Sequence, residues 1–214
     1  MILQILRDLK DQKGEKMKAA VIIIDITKEA VSENSELAIT RYSKEIIPKI
    51  NRLTKYARVN SIPVIFSMDS FMRGDFIFQG RLKEKSIRGT SGAEVADDLD
   101  QSDSDMYVPK RRFSAFFKTD LDQTLRLYRV DTVIVTGISS HWCVLNTVMD
   151  ALANDFRVYV IEDCCAAYKH DVHRAIMDIY RKSSLYPLLQ IVTLEQYLNK
   201  GDRFILPNTA IIVA

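Results

Sequence analysis

Cysteine is rare in this sequence, which has three among its 214 residues. Three is an odd number, and Cys164 and Cys165 are adjacent, so the sequence does not predict a framework of disulfide bonds. Reduced thiols are typical of cytoplasmic proteins, and we expect this location. The remaining cysteine, Cys143, stands alone and needs its own explanation.

Long apolar runs and a strong charge are also missing. No run approaches the roughly 20 apolar residues that cross a bilayer, and the first residues lack the continuous apolar core of a signal peptide. The formal net charge is +2 and the basic residues are scattered, so we expect neither a membrane nor a nucleic acid as partner. The sequence contains no Gly-x-Gly-x-x-Gly turn and no phosphate-binding loop, which disfavours a nucleotide-binding domain.

What the sequence does contain is an alternation of strand and helix patterns. Apolar, β-branched runs predict six strands, at 19–25, 62–68, 105–110, 131–136, 157–162 and 188–192. Helical periodicity predicts helices at 36–60, 120–129, 143–154 and 171–183, with a short helical pattern at 91–99. This alternation predicts a parallel sheet covered by helices on both sides, a three-layer α/β/α arrangement in a single domain over residues 1–214.

Three reactive side chains stand at the carboxyl ends of predicted strands, where parallel sheets form their sites. Asp25 follows the first strand, Lys110 ends the third, and Cys143 opens the helix after the fourth. A thiol at a helix start and beside an ammonium loses its proton more readily, and a carboxylate can take that proton and return it to a leaving group. Such a set suits attack on a carbonyl carbon through a thioester intermediate.

Each of these residues also has an ordinary structural role that the sequence leaves open. A cysteine at a helix start is more often a packing residue than a nucleophile, and an aspartate after a strand commonly caps the next segment. A single lysine in a basic segment is typical of a solvated surface. The shared placement of the three at strand ends favours the catalytic interpretation.

Three segments resemble the isochorismatase-like cysteine hydrolases. "VIIIDITKEAV" resembles the family's first strand, "VPKRRFSAFFKTDLDQTL" its lysine segment, and "VTGISSHWCVLNTVMDAL" its cysteine signature, within a resemblance that covers about residues 18–198. The resemblance implies a six-stranded parallel sheet and an Asp–Lys–Cys triad at Asp25, Lys110 and Cys143. It also implies a cis peptide bond at Ile138–Ser139 and an oxyanion hole made by the N–H groups of Ser139 and Cys143.

The resemblance also bears on metals. Nicotinamidases of this family bind a metal through an Asp-x-His pattern after the second strand. Here Asp69 is present, but Phe71 stands at the histidine position and no histidine precedes His141. We therefore expect no metal and no cofactor.

Within the family, the sequence favours amide chemistry. Isochorismatases carry glycine at the position of Cys143, which disfavours vinyl ether cleavage. We expect a metal-independent enzyme, similar to N-carbamoylsarcosine amidase, that hydrolyses a small amide or carbamoyl compound. Isochorismatase or nicotinamidase activity, and a non-catalytic binding or scaffold protein on the same fold, are the alternatives.

Pocket and assembly residues are less clearly marked. We assign substrate contacts to Thr27, Phe71, Phe116, His141 and Trp142; the last two suit a subunit contact as well.

Both ends of the chain favour assembly. An apolar helical stripe lies in the N-terminal extension 1–17, at Ile2, Ile5, Leu6 and Leu9, and the tail 199–214 is strongly apolar. We expect a homo-oligomer, a dimer or larger, in which the connection 69–105 forms a lid or an interface.

Overall fold

The sheet has six strands. The computed structural model describes residues 18–33 and 37–200, apart from the side chain of Lys200. The strands are β1 (Ala19–Ile24), β2 (Val64–Asp69), β3 (Met106–Lys110), β4 (Thr132–Ile138), β5 (Arg157–Ala166) and β6 (Leu189–Val192). All neighbouring pairs are parallel, in the order β3-β2-β1-β4-β5-β6.

Helices cover both faces of this sheet. They are α1 (Lys28–Val31), α2 (Thr40–Val59), α3 (Leu121–Leu127), α4 (Cys143–Ala153), α5 (His170–Arg181) and α6 (Leu194–Lys200). Buried side chains of α1, α2 and α6 join one apolar core, and those of α3, α4 and α5 join the other. The predicted three-layer α/β/α arrangement is therefore confirmed.

Strand β1 shows why the sheet lies in the middle. Its side chains alternate between the two cores, with Val21 and Ile23 on one face and Ala20, Ile22 and Ile24 on the other. A strand buried on both faces needs a continuous apolar run, which this segment has. Burying one such aliphatic side chain contributes about 1.5–3 kcal/mol.

The helical pattern at 91–99 was a wrong prediction. A single 3₁₀ turn occupies Ser91–Ala93, and an isolated antiparallel bridge then pairs Val95 with Thr27. Val95, Ala96 and Leu99 are buried in the core beside α2. Their helix-like spacing therefore reflects contacts of an irregular segment with the core.

The expected assembly elements lie outside the described residues. These are the apolar stripe of residues 1–17 and the tail beyond residue 200, so the homo-oligomer stays a prediction. None of the helices in the described part of the chain combines the length and the apolar character that crossing a bilayer requires.

The strand order places a crevice between β1 and β4. From β1 the chain continues to β2 and β3 on one side, and from β4 it continues to β5 and β6 on the other. Sites of open parallel sheets form at such a switch point, beyond the carboxyl ends of the strands. Asp25 directly follows β1, and α4 begins five residues after β4 ends.

Candidate active site

Asp25 is held rigidly where β1 ends. Its backbone φ of 56° lies in the left-handed region, which is uncommon for a residue other than glycine. Its N–H donates to the Ser67 carbonyl at 2.9 Å, and its Oδ1 accepts from the Asp69 N–H at 2.7 Å. The carboxylate is buried, and these hydrogen bonds fix its position beyond the end of β1.

Lys110 reaches the same place from two strands away. It is the last residue of β3, in register with Asp69 of β2, and its side chain is fully buried. Its Nζ lies 2.8 Å from Asp25 Oδ2 and also donates to Asp69 Oδ1. The lysine side chain therefore crosses the end of β2 to join the two carboxylates.

Cys143 approaches from the opposite side of the crevice. It is the first residue of α4, and its sulfur and one oxygen each of Asp25 and Asp69 lie within 4.8 Å of one another. The residue keeps 7% of its surface exposed. The structure thus brings together the three residues that the sequence singled out, Asp25, Lys110 and Cys143.

Gly137 makes this approach possible. It pairs with Ile24 of β1 and has a φ of +105°. A Cβ at this position would lie 2.1 Å from the Ile24 carbonyl oxygen, far inside van der Waals contact. Only glycine lets β4 pass so close to the residue before Asp25.

The turn between β4 and α4 orients backbone N–H groups. The Ile138–Ser139 peptide bond is cis. The Ser139 carbonyl accepts from the Trp142 and Val144 N–H groups at 2.9 and 3.2 Å, and the Ser140 N–H donates to Ala166. These bonds do not use the N–H groups of Ser139 and Cys143, and the first N–H groups of a helix have no partner within it.

Lys85 is a member of the cluster that the sequence did not reveal. It lies in the connection between β2 and β3, and its Nζ donates to Asp69 Oδ2 at 2.7 Å. In the sequence it is one of several charged residues in an irregular polar stretch, which is typical of a solvated surface. Of the two residues in this contact, the sequence singled out only Asp69, which lies at the end of β2.

The electrostatics of the cluster correct one expectation. Burial, reinforced by the charge of Asp25, raises the pKa of the Cys143 thiol well above its usual range, against the opposing effect of Lys110. The thiol was expected to lose its proton more readily because of the helix start and the lysine. Burial instead favours the protonated thiol, so the thiol needs a base at the moment of attack.

Asp25 has the properties of that base. Burial raises its pKa, the charge of Asp69 raises it further, and Lys110 and Lys85 only partly oppose this. Burial acts in the same direction on Asp69, but the two lysines outweigh it and lower the pKa of that carboxyl. The pKa of Lys110 is well above its usual range because Asp25 and Asp69 outweigh its burial. The ionised form is thus more strongly favoured for Asp69 than for Asp25, and Asp25 is the carboxylate that more readily accepts a proton.

One family model matches most of this chain. The isochorismatase domain matches residues 19–190. The chain belongs to this family. A protein of Arabidopsis thaliana named as a probable inactive nicotinamidase is 32% identical over 176 residues, which are 75% of this chain and 87% of that protein.

Named amidases are among the similar proteins. The N-carbamoylsarcosine amidase of an Arthrobacter species is 28% identical over 71% of this chain and 60% of its own length. The crystal structure of N-carbamoylsarcosine amidase from Thermoplasma acidophilum superimposes with a TM-score of 0.75 at 26% identity, over 85% of this chain and 99% of that one. The family is one of hydrolases, and the two named amidases act on C–N bonds outside peptides.

The residues assigned to the pocket fall into three groups in the structure. Thr27 is buried and caps α1, accepting from the Ala30 N–H at 3.3 Å, and the ring of Phe116 packs against Phe156. These contacts are structural. Phe71 is buried beside the cluster, with its ring 5.3 Å from Lys85 Nζ. His141 and Trp142 form the remaining group.

His141 and Trp142 lie in a partly exposed aromatic patch near the cysteine. The His141 ring contacts the rings of Trp142 and Tyr168, each with centroids 5.3 Å apart, and Trp142 also contacts Phe113. The patch therefore suits either of the roles that the sequence left open, a pocket wall or a subunit contact.

One group of side chains is of the kind that holds a metal. Asp25, Asp69 and Cys143 are the only such group of three among the residues described. Both carboxylates already contact Lys110, and Asp69 contacts Lys85 as well. A divalent cation would have to displace two ammonium groups, so the residues present do not fit a resident metal.

Proposed function

We propose that this protein hydrolyses the C–N bond of a small amide or carbamoyl compound, with Cys143 as nucleophile and without a metal. The observation that carries the proposal is the convergence of one carboxylate, one ammonium and one thiol in a buried crevice. Lys110 Nζ lies 2.8 Å from Asp25 Oδ2, and the sulfur lies within 4.8 Å of an oxygen of Asp25. The fold, the family and the amidases among the relatives support it.

The first step joins proton transfer to attack. Asp25 takes the thiol proton as the sulfur of Cys143 adds to the carbonyl carbon. The proton moves within the cluster, so its total charge does not change. The carbonyl oxygen becomes an anion, and the N–H groups of Ser139 and Cys143 are the candidates to receive it.

The tetrahedral intermediate then collapses. Asp25 returns the proton to the leaving nitrogen, the C–N bond breaks, and ammonia or an amine departs from a thioester on Cys143. A water molecule adds to the thioester while Asp25 accepts its proton. The acid product leaves, the thiol receives the proton back, and the cluster returns to its first state.

Lys110 acts in this cycle as a fixed positive charge. Its ammonium is fully buried and touches Asp25 and Asp69, so it remains protonated throughout. It orients the Asp25 carboxylate toward the thiol and stabilises negative charge as it develops on the sulfur. A lysine pinned by two carboxylates is preorganised for that task.

The test is a panel of primary amides and carbamoyl compounds, scored by ammonia release with and without a chelator. We expect the natural protein and a Cys164→Ala control to release ammonia equally with or without chelator, and Cys143→Ala to release none. Ammonia release by the Cys143→Ala protein would contradict the proposal. Loss of activity in chelator would contradict metal independence.

A second candidate is a small-molecule binding protein that does no chemistry. The observation that favours it is the high pKa of the well-buried Cys143 thiol. A relative's name, probable inactive nicotinamidase, is consistent with it. In that case a bound amide would be recovered unchanged after long incubation, and Cys143→Ala would bind it with the same affinity.

A further inference from the structure

Lys85 differs from an ordinary surface lysine in its surroundings. Its ammonium contacts the Asp69 carboxylate at 2.7 Å, and the face of the buried Phe71 ring lies 5.3 Å from it. The side chain is 21% exposed, whereas that of Lys110 is fully buried. Lys85 is therefore the more accessible of the two ammonium groups that contact Asp69.

Asp69 stands between two lysines. Its Oδ1 accepts from Lys110 and its Oδ2 accepts from Lys85. Lys110 in turn contacts both Asp69 and Asp25. The cluster has two carboxylates and two ammonium groups, and it is balanced only when Lys85 is counted.

The backbone directly after Lys85 is fixed by hydrogen bonds. The Ser86 N–H donates to Glu29 Oε2 at 2.5 Å, and the Ser86 carbonyl accepts from the Phe71 N–H at 3.0 Å. Two residues further on, the Arg88 N–H donates to the Phe71 carbonyl at 2.8 Å. These contacts anchor the connection beside β2, so the ammonium is presented to Asp69 by a defined backbone.

We propose that Lys85 is a positioning residue for the hydrolysis: it neutralises Asp69, which leaves Lys110 available to Asp25 and to the thiolate that forms on Cys143. This inference rests on the proposed function. Without Lys85, the ammonium of Lys110 would alone balance two negative charges, one on Asp69 and one that moves from Asp25 to the sulfur of Cys143 with the proton transfer. Negative charge on the sulfur would then be less well stabilised. The groups that face this charge are Asp25, Asp69, Lys110 and Cys143.

The test compares Lys85→Met, which keeps the length and removes the charge, with Lys85→Arg, which keeps the charge. The readout is the rate at which iodoacetamide alkylates Cys143, followed over a range of pH by mass spectrometry, so no substrate need be known. We expect Lys85→Met to slow alkylation about tenfold at neutral pH and to raise its pH midpoint by about one unit. Lys85→Arg should stay within about threefold of the natural rate.

Lys49→Met is the matched control. It breaks a lysine–aspartate pair of similar length, Lys49 Nζ to Asp163 Oδ2 at 3.0 Å, on a more exposed surface. We expect its alkylation rate to stay within about threefold of the natural one, because exposed pairs contribute little.

Different results separate the possible failures. If Lys85→Met lowers the melting temperature but leaves the rate and midpoint of alkylation unchanged, Lys85 only pins the connection and the inference is wrong. If Cys143 is labelled selectively in the natural protein and Lys85→Met leaves the alkylation rate unchanged, only this inference is wrong. If Cys143 is not labelled selectively in the natural protein, the proposed function fails first.

Discussion

Cys143 and the adjacent pair Cys164 and Cys165 are the same chemical group in two regions of the molecule. All three are buried, with exposed fractions of 7%, 0% and 4%, and burial raises the pKa of each thiol. The difference lies in their neighbours. Cys143 faces a carboxylate and an ammonium across the crevice, whereas Cys164 and Cys165 lie in β5 among the apolar side chains of the two cores.

This comparison shows what makes a buried cysteine a candidate nucleophile. Neither exposure nor the direction of the pKa shift separates the two regions. A base within reach does, because it allows a protonated thiol to react without first releasing its proton to water. The predictions below test that difference, from the largest expected effect to the smallest.

Removal of the cysteine sulfur should distinguish Cys143 from the pair Cys164 and Cys165 most strongly. We expect Cys143→Ala to lower amide hydrolysis by at least about 10⁴-fold, the scale seen when an enzyme loses its nucleophile. The double variant Cys164→Ala, Cys165→Ala should keep the natural rate to within about threefold, because small apolar replacements in the core act on stability. Ammonia release measures both. Equal losses in the two variants would contradict the distinction.

Removal of the base should have the next largest effect. We expect Asp25→Asn to lower hydrolysis about 10³-fold, because the thiol then has no acceptor for its proton. Asp25 must be ionised to act as base, and its pKa is raised, so activity should be lost as pH falls through a value above the ordinary one of about 3.9. The apparent pKa measured in this way describes the coupled cluster and not Asp25 alone. Loss of activity with a midpoint at or below the ordinary aspartate pKa would contradict the assignment of Asp25 as base.

Gly137→Ala should disturb the approach of β1 to β4. The added Cβ would meet the Ile24 carbonyl oxygen, and we expect a loss of about 3 kcal/mol in the free energy of unfolding, measured with denaturant. Gly89→Ala is the control, since Gly89 also has a positive φ, +79°, but open space around it. It should lose about 1 kcal/mol. Similar losses at both sites would show that the close approach is unimportant.

The smallest of these effects concerns the hydrogen bonds that anchor α4. The Thr147 hydroxyl donates to the Cys143 carbonyl at 2.8 Å and accepts from the buried Ala115 N–H at 3.0 Å. Thr147→Val should lower the free energy of unfolding by about 1–2 kcal/mol, because that N–H loses its acceptor. Thr54→Val, whose hydroxyl donates only to a carbonyl of its own helix, should lose less. No difference between the two would contradict this role.

Much of the fold could be predicted from the sequence because buried strands carry a strong signal. The apolar run of β1 and the alternation of strands with helices were sufficient for the three-layer sheet. The short helix α1, and the segment at 91–99, were missed or misread because their conformation depends on contacts with the core. The resemblance of three segments to a family, confirmed by the family match, supplied the rest of the topology.

The candidate site was only partly predictable. Asp25, Lys110 and Cys143 lie at or shortly after the ends of strands, so topology alone brings them to one edge of the sheet. Lys85 does not, because its position depends on how the irregular connection folds back onto Asp69. The direction of the Cys143 pKa shift could not be predicted from the sequence either. It depends on burial, which outweighs the opposing effect of Lys110.

The most direct test of the central claim is the alkylation rate of each cysteine by iodoacetamide in the folded protein, resolved by mass spectrometry. Cys143 should react at least about tenfold faster than Cys164 and Cys165. Asp25→Asn should remove that advantage, because loss of the proton acceptor outweighs loss of the negative charge that raises the thiol pKa. Equal rates at all three cysteines, or an advantage that survives in Asp25→Asn, would mean that the carboxylate does not activate the thiol.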